Sequence, residues 1–291
     1  MVVAHIPCVV GVDGGGSSCR IALLREGRRH EAEVGAANVS TDCDAAIASL
    51  RDGLARVAAA AGLSMDDLRP CAAYLGLAGV KGAEDAARVA AALPFERVRV
   101  EDDRLAAVAG ALGEADGAVA GIGTGSFLAR RSGGTVRLIG GWGLALGDEA
   151  SAAWLGRGLL SAVLKTVDGL VEPSPLTEAI FAEHGRDPEA IVAFSLNARP
   201  RDYGRLAPRI DEAAQAGDAL ATHLMRAGAA YIEEALRALG WQHGETLCLV
   251  GGVARHYARY LGEEIAPSLK APKGTALDGA LQLAARVGGA A

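Results

Sequence analysis

The sequence is poor in cysteine, in aromatic side chains and in long apolar runs. Its five cysteines are odd in number and never spaced Cys-x-x-Cys, so neither a disulfide framework nor a zinc ribbon is predicted, and the thiols are expected to be reduced. It has no uncharged apolar stretch of about 20 residues and no basic leader with an apolar core. We therefore expect a cytoplasmic protein that neither spans a membrane nor is exported.

The chain also lacks an excess of basic residues. Its formal net charge of −6 argues against nucleic-acid and anionic-membrane partners, which require basic surfaces. Hydrophobic residues account for 51% and charged residues for 22% of its 291 positions, which is typical of a folded α/β protein long enough for two domains. The partner expected from this composition is a small polar molecule.

Several common catalytic motifs are missing. The sequence has no Gly-Lys dipeptide, which excludes a Walker A loop, and no His-Glu-x-x-His or Gly-x-Ser-x-Gly pattern. The run Gly121-Ile122-Gly123-Thr124-Gly125 lacks the spacing of a dinucleotide fingerprint, and a strand instead of a helix is predicted to follow it. Metalloprotease, serine-hydrolase and Rossmann dinucleotide functions are therefore not predicted.

A glycine-rich turn lies near the N-terminus, between Val9 and Arg20. An apolar run ends at Asp13, passes through Gly14-Gly15-Gly16-Ser17-Ser18 and continues into a second apolar run, which predicts two strands joined by a tight turn. Consecutive glycines let a ligand approach the backbone, their N–H groups can point at one anion, and the acid can hold a hydrated cation. A site for a metal-bound polyphosphate is the first hypothesis, and a simple hairpin turn is the alternative.

The same order returns later in the chain. A predicted strand at 118–123 leads into Thr124-Gly125-Ser126, which is followed by a strand, a Gly133-Gly134 turn and a third strand. Another glycine turn, Gly251-Gly252, follows a predicted strand that begins at Thr246. The repeat predicts two related halves whose glycine turns face each other across a cleft, at the strand ends where ligands of α/β proteins collect.

Two acidic clusters accompany these turns. Glu101-Asp102-Asp103 ends a predicted strand, and Asp148-Glu149 precedes a helix predicted to begin at Ala150. Phosphoryl transfer to an alcohol needs a carboxylate that accepts the hydroxyl proton. The alternative is that these acids only cap helices. The residue pattern alone does not distinguish Asp102 from Asp103 as the base.

Three motifs carry a resemblance to a known superfamily. Asp13-Gly14-Gly15-Gly16-Ser17, Gly123-Thr124-Gly125-Ser126 and Val250-Gly251-Gly252-Val253 resemble the phosphate-1, phosphate-2 and adenosine motifs of acetate and sugar kinases, Hsp70 and actin. Within that superfamily the chain is most similar to the BadF/BadG/BcrA/BcrD ATPase family and its bacterial glucosamine and N-acetylglucosamine kinases. Further similar stretches are Ala37-Asn38, the segment 140–149, and Pro200-Arg201-Asp202-Tyr203-Gly204, which is predicted as a break between helices.

The resemblance implies an α/β fold of two duplicated ribonuclease H-like (actin-like ATPase) domains, with ATP and the sugar bound in the interdomain cleft. Residues 1–112, completed by a C-terminal helix at 277–291, would form the N-terminal domain, and residues 113–276 the C-terminal domain. The implied enzyme phosphorylates the 6-hydroxyl group of glucosamine, with ATP and Mg²⁺ as cofactors and a homodimer as the expected assembly.

The resemblance also implies roles for single residues. Asp103 would be the catalytic base and would contact the sugar, and Asp13 would lie at the Mg²⁺ ion. The residues implied to bind ATP are Gly14, Gly15, Gly16, Ser17, Thr124, Gly125, Gly204, Gly251 and Gly252. The residues implied to bind the sugar besides Asp103 are Asn38, Gly141, Trp142, Gly143 and Asp148. Arg20 is interpreted from its position as a structural ion-pair partner.

Alternative functions stay open on the sequence alone. Ala78 stands where the animal N-acetylglucosamine kinases have a serine that touches the sugar, which favours glucosamine over N-acetylglucosamine. ATPase activators of 2-hydroxyacyl-CoA dehydratases resemble the chain in the same motifs, but they hold a [4Fe–4S] cluster with cysteines of their second half, where this chain has only Cys248. A non-catalytic ATP- or sugar-binding protein is the remaining alternative.

Overall fold

The computed structural model describes residues 8–16 and 18–289 of the chain. The strands, numbered along the chain, are β1 (Val9–Gly14), β2 (Cys19–Arg25), β3 (Arg28–Val34), β4 (Ala72–Leu77), β5 (Arg97–Glu101), β6 (Gly117–Ile122), β7 (Ser126–Ser132), β8 (Thr135–Gly140) and β9 (Leu247–Val250). The helices are α1 (Cys43–Ala60), α2 (Ala83–Ala91), α3 (Asp103–Leu112), α4 (Ala152–Val167), α5 (Pro175–Glu183), α6 (Pro188–Asn197), α7 (Pro200–Gly204), α8 (Ala207–Gln215), α9 (Ala219–Ala238), α10 (Ala254–Tyr257) and α11 (Ala276–Val287). Short 3₁₀ turns occur at Asp66–Leu68 and Ala266–Ser268.

The chain divides into two compact units. The first contains the residues up to Ala115 together with those from Pro272 onward, and the second runs from Asp116 to Ala271. The sequence-based division after residue 112 and before residue 277 lies close to these boundaries. Helix α11 belongs to the first unit because it packs against α3 and β1.

The first unit is built on a five-stranded mixed sheet in the order β3-β2-β1-β4-β5. Strands β1, β2 and β3 pair antiparallel, which confirms the hairpins predicted from the glycine turns. Strands β1, β4 and β5 run parallel, and β4 is buried at every position, as its uninterrupted apolar sequence predicts. The carboxyl ends of β1, β4 and β5 consequently lie at one edge of this sheet.

Both faces of this sheet are covered. Val10 and Val12 of β1 join the buried cluster that includes Leu50 and Leu54 of α1, whereas Val9 joins a smaller cluster with Leu277 of α11. This separation follows from the alternation of side chains along a strand. Helices α1 and α11 therefore cover opposite faces of the sheet.

The second unit contains a four-stranded mixed sheet in the order β8-β7-β6-β9. Strands β6, β7 and β8 pair antiparallel, and β9 runs parallel to β6. This order matches β3-β2-β1-β4 of the first unit, as the repeated pattern of strands and glycine turns predicts. Its core is formed largely by α4, α8 and α9 against β6 and β7.

Three local predictions are wrong. The segment 200–204 was expected to break the helices, but it forms the short helix α7, with Pro200 in the first turn and the Asp202 carboxylate accepting from the Arg199 backbone N–H. Helix α4 begins at Ala152 instead of Ala150, and Ser151, not the acids before it, caps α4 by accepting from the Trp154 N–H. Strand β5 ends at Glu101, because Asp102 and Asp103 already belong to the start of α3.

The expectation of reduced thiols is also wrong for two cysteines. Cys8 and Cys71 form a disulfide with a Cα–Cα distance of 4.8 Å. They precede the neighbouring parallel strands β1 and β4, so the bond joins these strands at the edge opposite to the loops after Asp13 and Leu77. The other cysteines, Cys19, Cys43 and Cys248, are thiols. Within the described ranges, no helix combines the length and apolar character that a membrane crossing requires.

Candidate functional site

The first unit brings its predicted site residues to one edge of the sheet. Asp13 of β1 is in register with Gly76 of β4, and Gly76 with Glu101 of β5. The glycine turn after β1, the loop after β4 and the acids after β5 therefore follow one another along this edge. Gly76 leaves room for Asp103, because a Cβ atom on Gly76 would lie 3.2 Å from the Asp103 Cα atom.

Asp102 and Asp103, which the residue pattern did not separate, have different surroundings. Asp102 is the N-cap of α3, and its Oδ1 accepts from the Arg104 backbone N–H at 3.0 Å and from Arg104 Nε at 2.5 Å. Asp103 is the first residue of the helix, and burial raises the pKa of its carboxyl to about 7, with the charges of Asp102 and Asp13 adding to the increase. Asp102 is thus committed to capping, whereas Asp103 has the pKa of a general base that works near neutral pH.

Asp13 is paired across the hairpin with Arg20. Arg20 Nη2 donates to Asp13 Oδ2 at 2.5 Å, and the Asp13 side chain is only 14% exposed. The two residues are register partners on β1 and β2, which confirms the interpretation of Arg20 as an ion-pair partner. The pairing leaves Asp13 Oδ1 as the oxygen that could meet a cation.

The turn between β1 and β2 is held by backbone hydrogen bonds. Gly15 N–H donates to Ser18 O at 2.9 Å, and the oxygens of Gly14 and Gly15 accept from Ala78 and Ala37. Gly16 is exposed at the tip of this turn. Ser17, predicted to bind the phosphates, lies outside the described residues.

Asn38 lies beside the loop that follows β4. Its Oδ1 accepts from the Ser40 N–H, the Ser40 hydroxyl and the Thr41 N–H, so the side chain is oriented by its own turn. The neighbouring Val39 N–H donates to Ala78 O at 2.9 Å. The structure thereby places Asn38 in the same loop cluster as the glycine turn.

In the second unit, two predicted nucleotide turns meet at the end of β6. The Val253 N–H donates to Ile122 O, and the Ala152 and Ala153 N–H groups donate to the oxygens of Gly123 and Thr124. Gly251 has a φ of +102°, and a Cβ atom there would lie 2.4 Å from Ile122 O, so only glycine fits this approach. Thr124 is exposed at the tip of its turn.

Asp148 is a buried carboxylate on a strained turn of the same unit. It is 7% exposed, and burial raises its pKa, although hydrogen bonds from the backbone N–H groups of Ser126 and Gly143 act in the opposite direction. Asp148 and Ala150 have φ angles of +58° and +67°, which cost non-glycine residues about 1–3 kcal/mol each and persist where the surroundings enforce them. Such strain is a frequent property of ligand-binding loops.

Three more of the predicted site residues, Gly125, Trp142 and Gly204, belong to the second unit. A Cβ atom on Gly125 would lie 2.9 Å from Asp148 Oδ2, so the phosphate-2 turn and the Asp148 carboxylate are in close contact. Trp142, between Gly141 and Gly143, is 78% exposed. Gly204, at the end of α7, lies against Ala152 at the start of α4, since a Cβ atom on Gly204 would lie 3.4 Å from the Ala152 Cβ atom.

Two side chains that support this turn were missed by sequence reasoning. The Ser126 hydroxyl donates to Glu149 O at 2.6 Å, and the Tyr257 hydroxyl donates to Ala150 O at 2.6 Å. Ser126 lies within a recognised motif, so its position was a usable signal. Tyr257 is 107 residues from its partner, and no local pattern points to it.

Comparison with known proteins decides the family. The sequence profile of the BadF/BadG/BcrA/BcrD ATPase family matches residues 10–275. The chain belongs to this family. Its curated relative glucosamine kinase GspK of Vibrio cholerae is 35% identical over 281 residues, which cover 95% of each chain.

Solved structures of similar proteins extend the likeness to the fold of this ATPase family member. A proposed N-acetylglucosamine kinase from Chromobacterium violaceum has a TM-score of 0.88 at 33% identity and covers 96% of this chain and 99% of its own. A second such protein, from Porphyromonas gingivalis, has a TM-score of 0.66 at 21% identity over 95% of this chain and 98% of its own, and shows the fold alone. The two mixed sheets with flanking helices are thus the fold of known kinase-like proteins.

Proposed function

We propose that this protein is an ATP-dependent kinase that phosphorylates the 6-hydroxyl group of glucosamine. Membership of an ATPase family and the 35% identity to a glucosamine kinase support ATP-dependent phosphorylation of a sugar. The observation that carries the chemistry is Asp103, a carboxyl whose pKa is raised to about 7 by burial and in part by Asp13, at the edge of the first sheet where the parallel strands end. A homodimer is the proposed assembly.

Asp103 accepts the proton of the attacking hydroxyl group. A carboxylate can do so only when ionised, and its base strength rises with its pKa, so a pKa near the working pH satisfies both requirements. Burial supplies most of that increase, and the negative charges of Asp102 and Asp13 supply the rest. Asp102 cannot replace it while it caps α3 and pairs with Arg104.

Glycine turns are the proposed nucleotide-binding elements. Backbone N–H groups at the glycine turns and the Thr124 hydroxyl bind the phosphates, as consecutive N–H groups do in other anion sites. The residues proposed for ATP are Gly14, Gly15, Gly16, Ser17, Thr124 and Gly125 for the phosphates and Gly204, Gly251 and Gly252 for the adenosine. The residues proposed for the sugar are Asn38, Gly141, Trp142, Gly143 and Asp148, together with Asp103.

Asp13 fits the requirements of Mg²⁺. This ion is bound through one or two carboxylates, waters and substrate phosphates, and Asp13 offers one partly buried carboxylate directly before the glycine turn. Arg20 occupies Oδ2 and leaves Oδ1 for the ion. When bound, Mg²⁺ neutralises negative charge on the β- and γ-phosphates.

Glucosamine is preferred over N-acetylglucosamine because of Ala78. The Ala78 N–H donates to Gly14 O, and the Ala78 carbonyl accepts from the Val39 N–H. The side chain of Ala78 is a methyl group, which offers no hydroxyl to bind the acetamide of N-acetylglucosamine. A site that lacks a partner for a polar substrate group binds that substrate less well.

The test is a coupled ATP assay with glucosamine, N-acetylglucosamine, glucose and no sugar. We expect the highest kcat/KM with glucosamine and a lower value with N-acetylglucosamine. A preference for N-acetylglucosamine would overturn the substrate but leave the amino-sugar kinase, and equal ATP turnover in all four reactions would overturn the kinase itself.

A further inference from the structure

The strained turn at residues 148–150 is held through three consecutive carbonyl groups. Asp148 O accepts from the Ser151 N–H at 3.1 Å, Glu149 O from the Ser126 hydroxyl at 2.6 Å, and Ala150 O from the Tyr257 hydroxyl at 2.6 Å. The first bond lies within the turn, the second comes from β7, and the third comes from α10. Only the third connects this turn to the helix that follows Gly251-Gly252.

Tyr257 belongs to the hydrophobic core of the second unit. Its side chain is fully buried at the end of α10, and burial raises the pKa of its hydroxyl, so it remains a donor. Helix α9 leaves space for it, because a Cβ atom on Gly228 would lie 2.4 Å from the Tyr257 hydroxyl oxygen. The Val253 N–H, at the start of the same short helix, holds Ile122 O.

We propose that Tyr257 is a positioning residue that sets the Asp148 carboxylate for the sugar and couples sugar binding to nucleotide binding. Its hydroxyl fixes Ala150 O, which holds the left-handed turn that presents Asp148. Because α10 begins directly after Gly251-Gly252, a nucleotide that orders this turn also orders α10 and Tyr257. Each ligand then binds more tightly in the presence of the other.

This inference rests on the proposed function, so the wild-type enzyme is measured first. Glucosamine binding is followed by calorimetry with and without a non-hydrolysable ATP analogue. We expect the analogue to strengthen glucosamine binding. Absence of sugar-dependent phosphorylation by the wild-type enzyme would refute the proposed function, whereas an unchanged glucosamine affinity in an active enzyme would refute the coupling alone.

The decisive variant is Tyr257→Phe, which removes one hydroxyl and leaves a buried carbonyl without a donor. We expect the Kd of glucosamine to rise roughly five- to thirtyfold, the effect of the analogue on that Kd to shrink, and kcat at saturating sugar to change much less. The matched control is Tyr74→Phe, since Tyr74 is also buried and donates to Glu101 Oε2 at 2.9 Å in the other unit. Equal behaviour of the two variants would overturn the inference.

A second variant keeps the proposal testable if Tyr257→Phe does not fold. Ser126→Ala removes the donor to Glu149 O but leaves α10 untouched. We expect it to weaken glucosamine binding several-fold while the effect of the ATP analogue is retained. Unchanged glucosamine binding in Ser126→Ala would show that the turn does not depend on its carbonyl donors and would overturn the proposal.

Discussion

The turns after β1 and β6 occupy equivalent places in sheets of the same order, yet the residues that flank them differ in chemistry. Hairpin β1–β2 pairs Asp13 with Arg20, next to its final pair of Gly14 with Cys19. At the equivalent position, hairpin β6–β7 pairs Gly121 with Phe127. A Cβ atom on Gly121 would lie 2.2 Å from a ring carbon of Phe127, so any side chain there would require the Phe127 ring to move.

The difference teaches how one topology can serve two purposes. In the first unit the carboxylates of Asp13 and Asp103, proposed as metal ligand and base, come from the end of β1 and from the start of the helix that follows β5. In the second unit the turn after β6 consists of Gly123, Thr124 and Gly125, and the carboxylate of Asp148 comes from a separate loop with left-handed backbone. We infer that the carboxylates proposed for metal binding and proton transfer belong to the first unit, whereas the carboxylate of the second unit, Asp148, is proposed for the sugar.

The largest expected effect sharpens the assignment of the base to the first unit. Asp103→Asn should lower kcat by roughly 10²- to 10⁴-fold with little change in ATP binding, because the hydroxyl proton loses its acceptor. Steady-state kinetics and nucleotide titration measure both. Asp102→Asn is the control, and it should cost mainly stability, about 1 kcal/mol through a weakened helix cap. Full activity of Asp103→Asn would refute the assignment.

The disulfide provides the next comparison, because the first unit is cross-linked and no disulfide occurs within the described part of the second. Cys8 and Cys71 are 63 residues apart, and closing such a loop stabilises by about 4 kcal/mol in the chain-entropy view. Cys8→Ser/Cys71→Ser should therefore lower Tm while kcat stays near wild type. Disulfides are rare in cytosolic proteins, so thiol titration of protein from the cytoplasm also tests the predicted location. An unaltered Tm would argue against the bond.

A smaller effect is expected at the hairpin pair itself. Asp13→Ala should weaken the use of Mg²⁺-ATP by roughly ten- to a hundredfold, the range seen when groups around a metal are removed. Titration of activity with Mg²⁺ measures it. Arg20→Leu is the companion variant, since it removes the ion pair but keeps the carboxylate. A normal Mg²⁺ dependence of Asp13→Ala would contradict the proposed metal role.

The smallest expected effect is a shift in pH dependence. The kcat/KM of the wild type should rise with a midpoint near pH 7 as Asp103 loses its proton. In Asp102→Asn the midpoint should move to lower pH by less than about one unit, because the negative neighbour with the largest effect on the Asp103 pKa is removed. A midpoint that moves upward or not at all would contradict the electrostatic link.

The same pKa has a consequence for stability. Because the folded-state pKa of Asp103 lies above its ordinary value, the folded state binds the proton more tightly, and this contribution is lost as pH rises from about 4 through about 7. Thermal unfolding at pH 5 and pH 8 should therefore show Asp103→Asn gaining stability relative to wild type as pH rises.

The sequence by itself determined the local elements and their order. Apolar alternation, glycine turns and the uninterrupted run at 72–77 predicted the hairpins, the buried parallel strand and the repeated arrangement, because these signals are carried by residues close together in the chain. The motifs also pointed to Asp13, Asn38, Asp103 and Asp148. Their roles in binding and catalysis remain proposals.

Only the tertiary structure decided between groups of equal local character. Asp102 and Asp103 are neighbours of one residue type, and burial and capping geometry separate them. The left-handed backbone of Ala150 contradicts the helix start predicted at that residue, and donors from Ser126 and Tyr257 hold the turn in place. The Cys8–Cys71 bond likewise depends on the pairing of β1 with β4. Contacts between residues far apart in the chain are set by packing, and no local pattern encodes them.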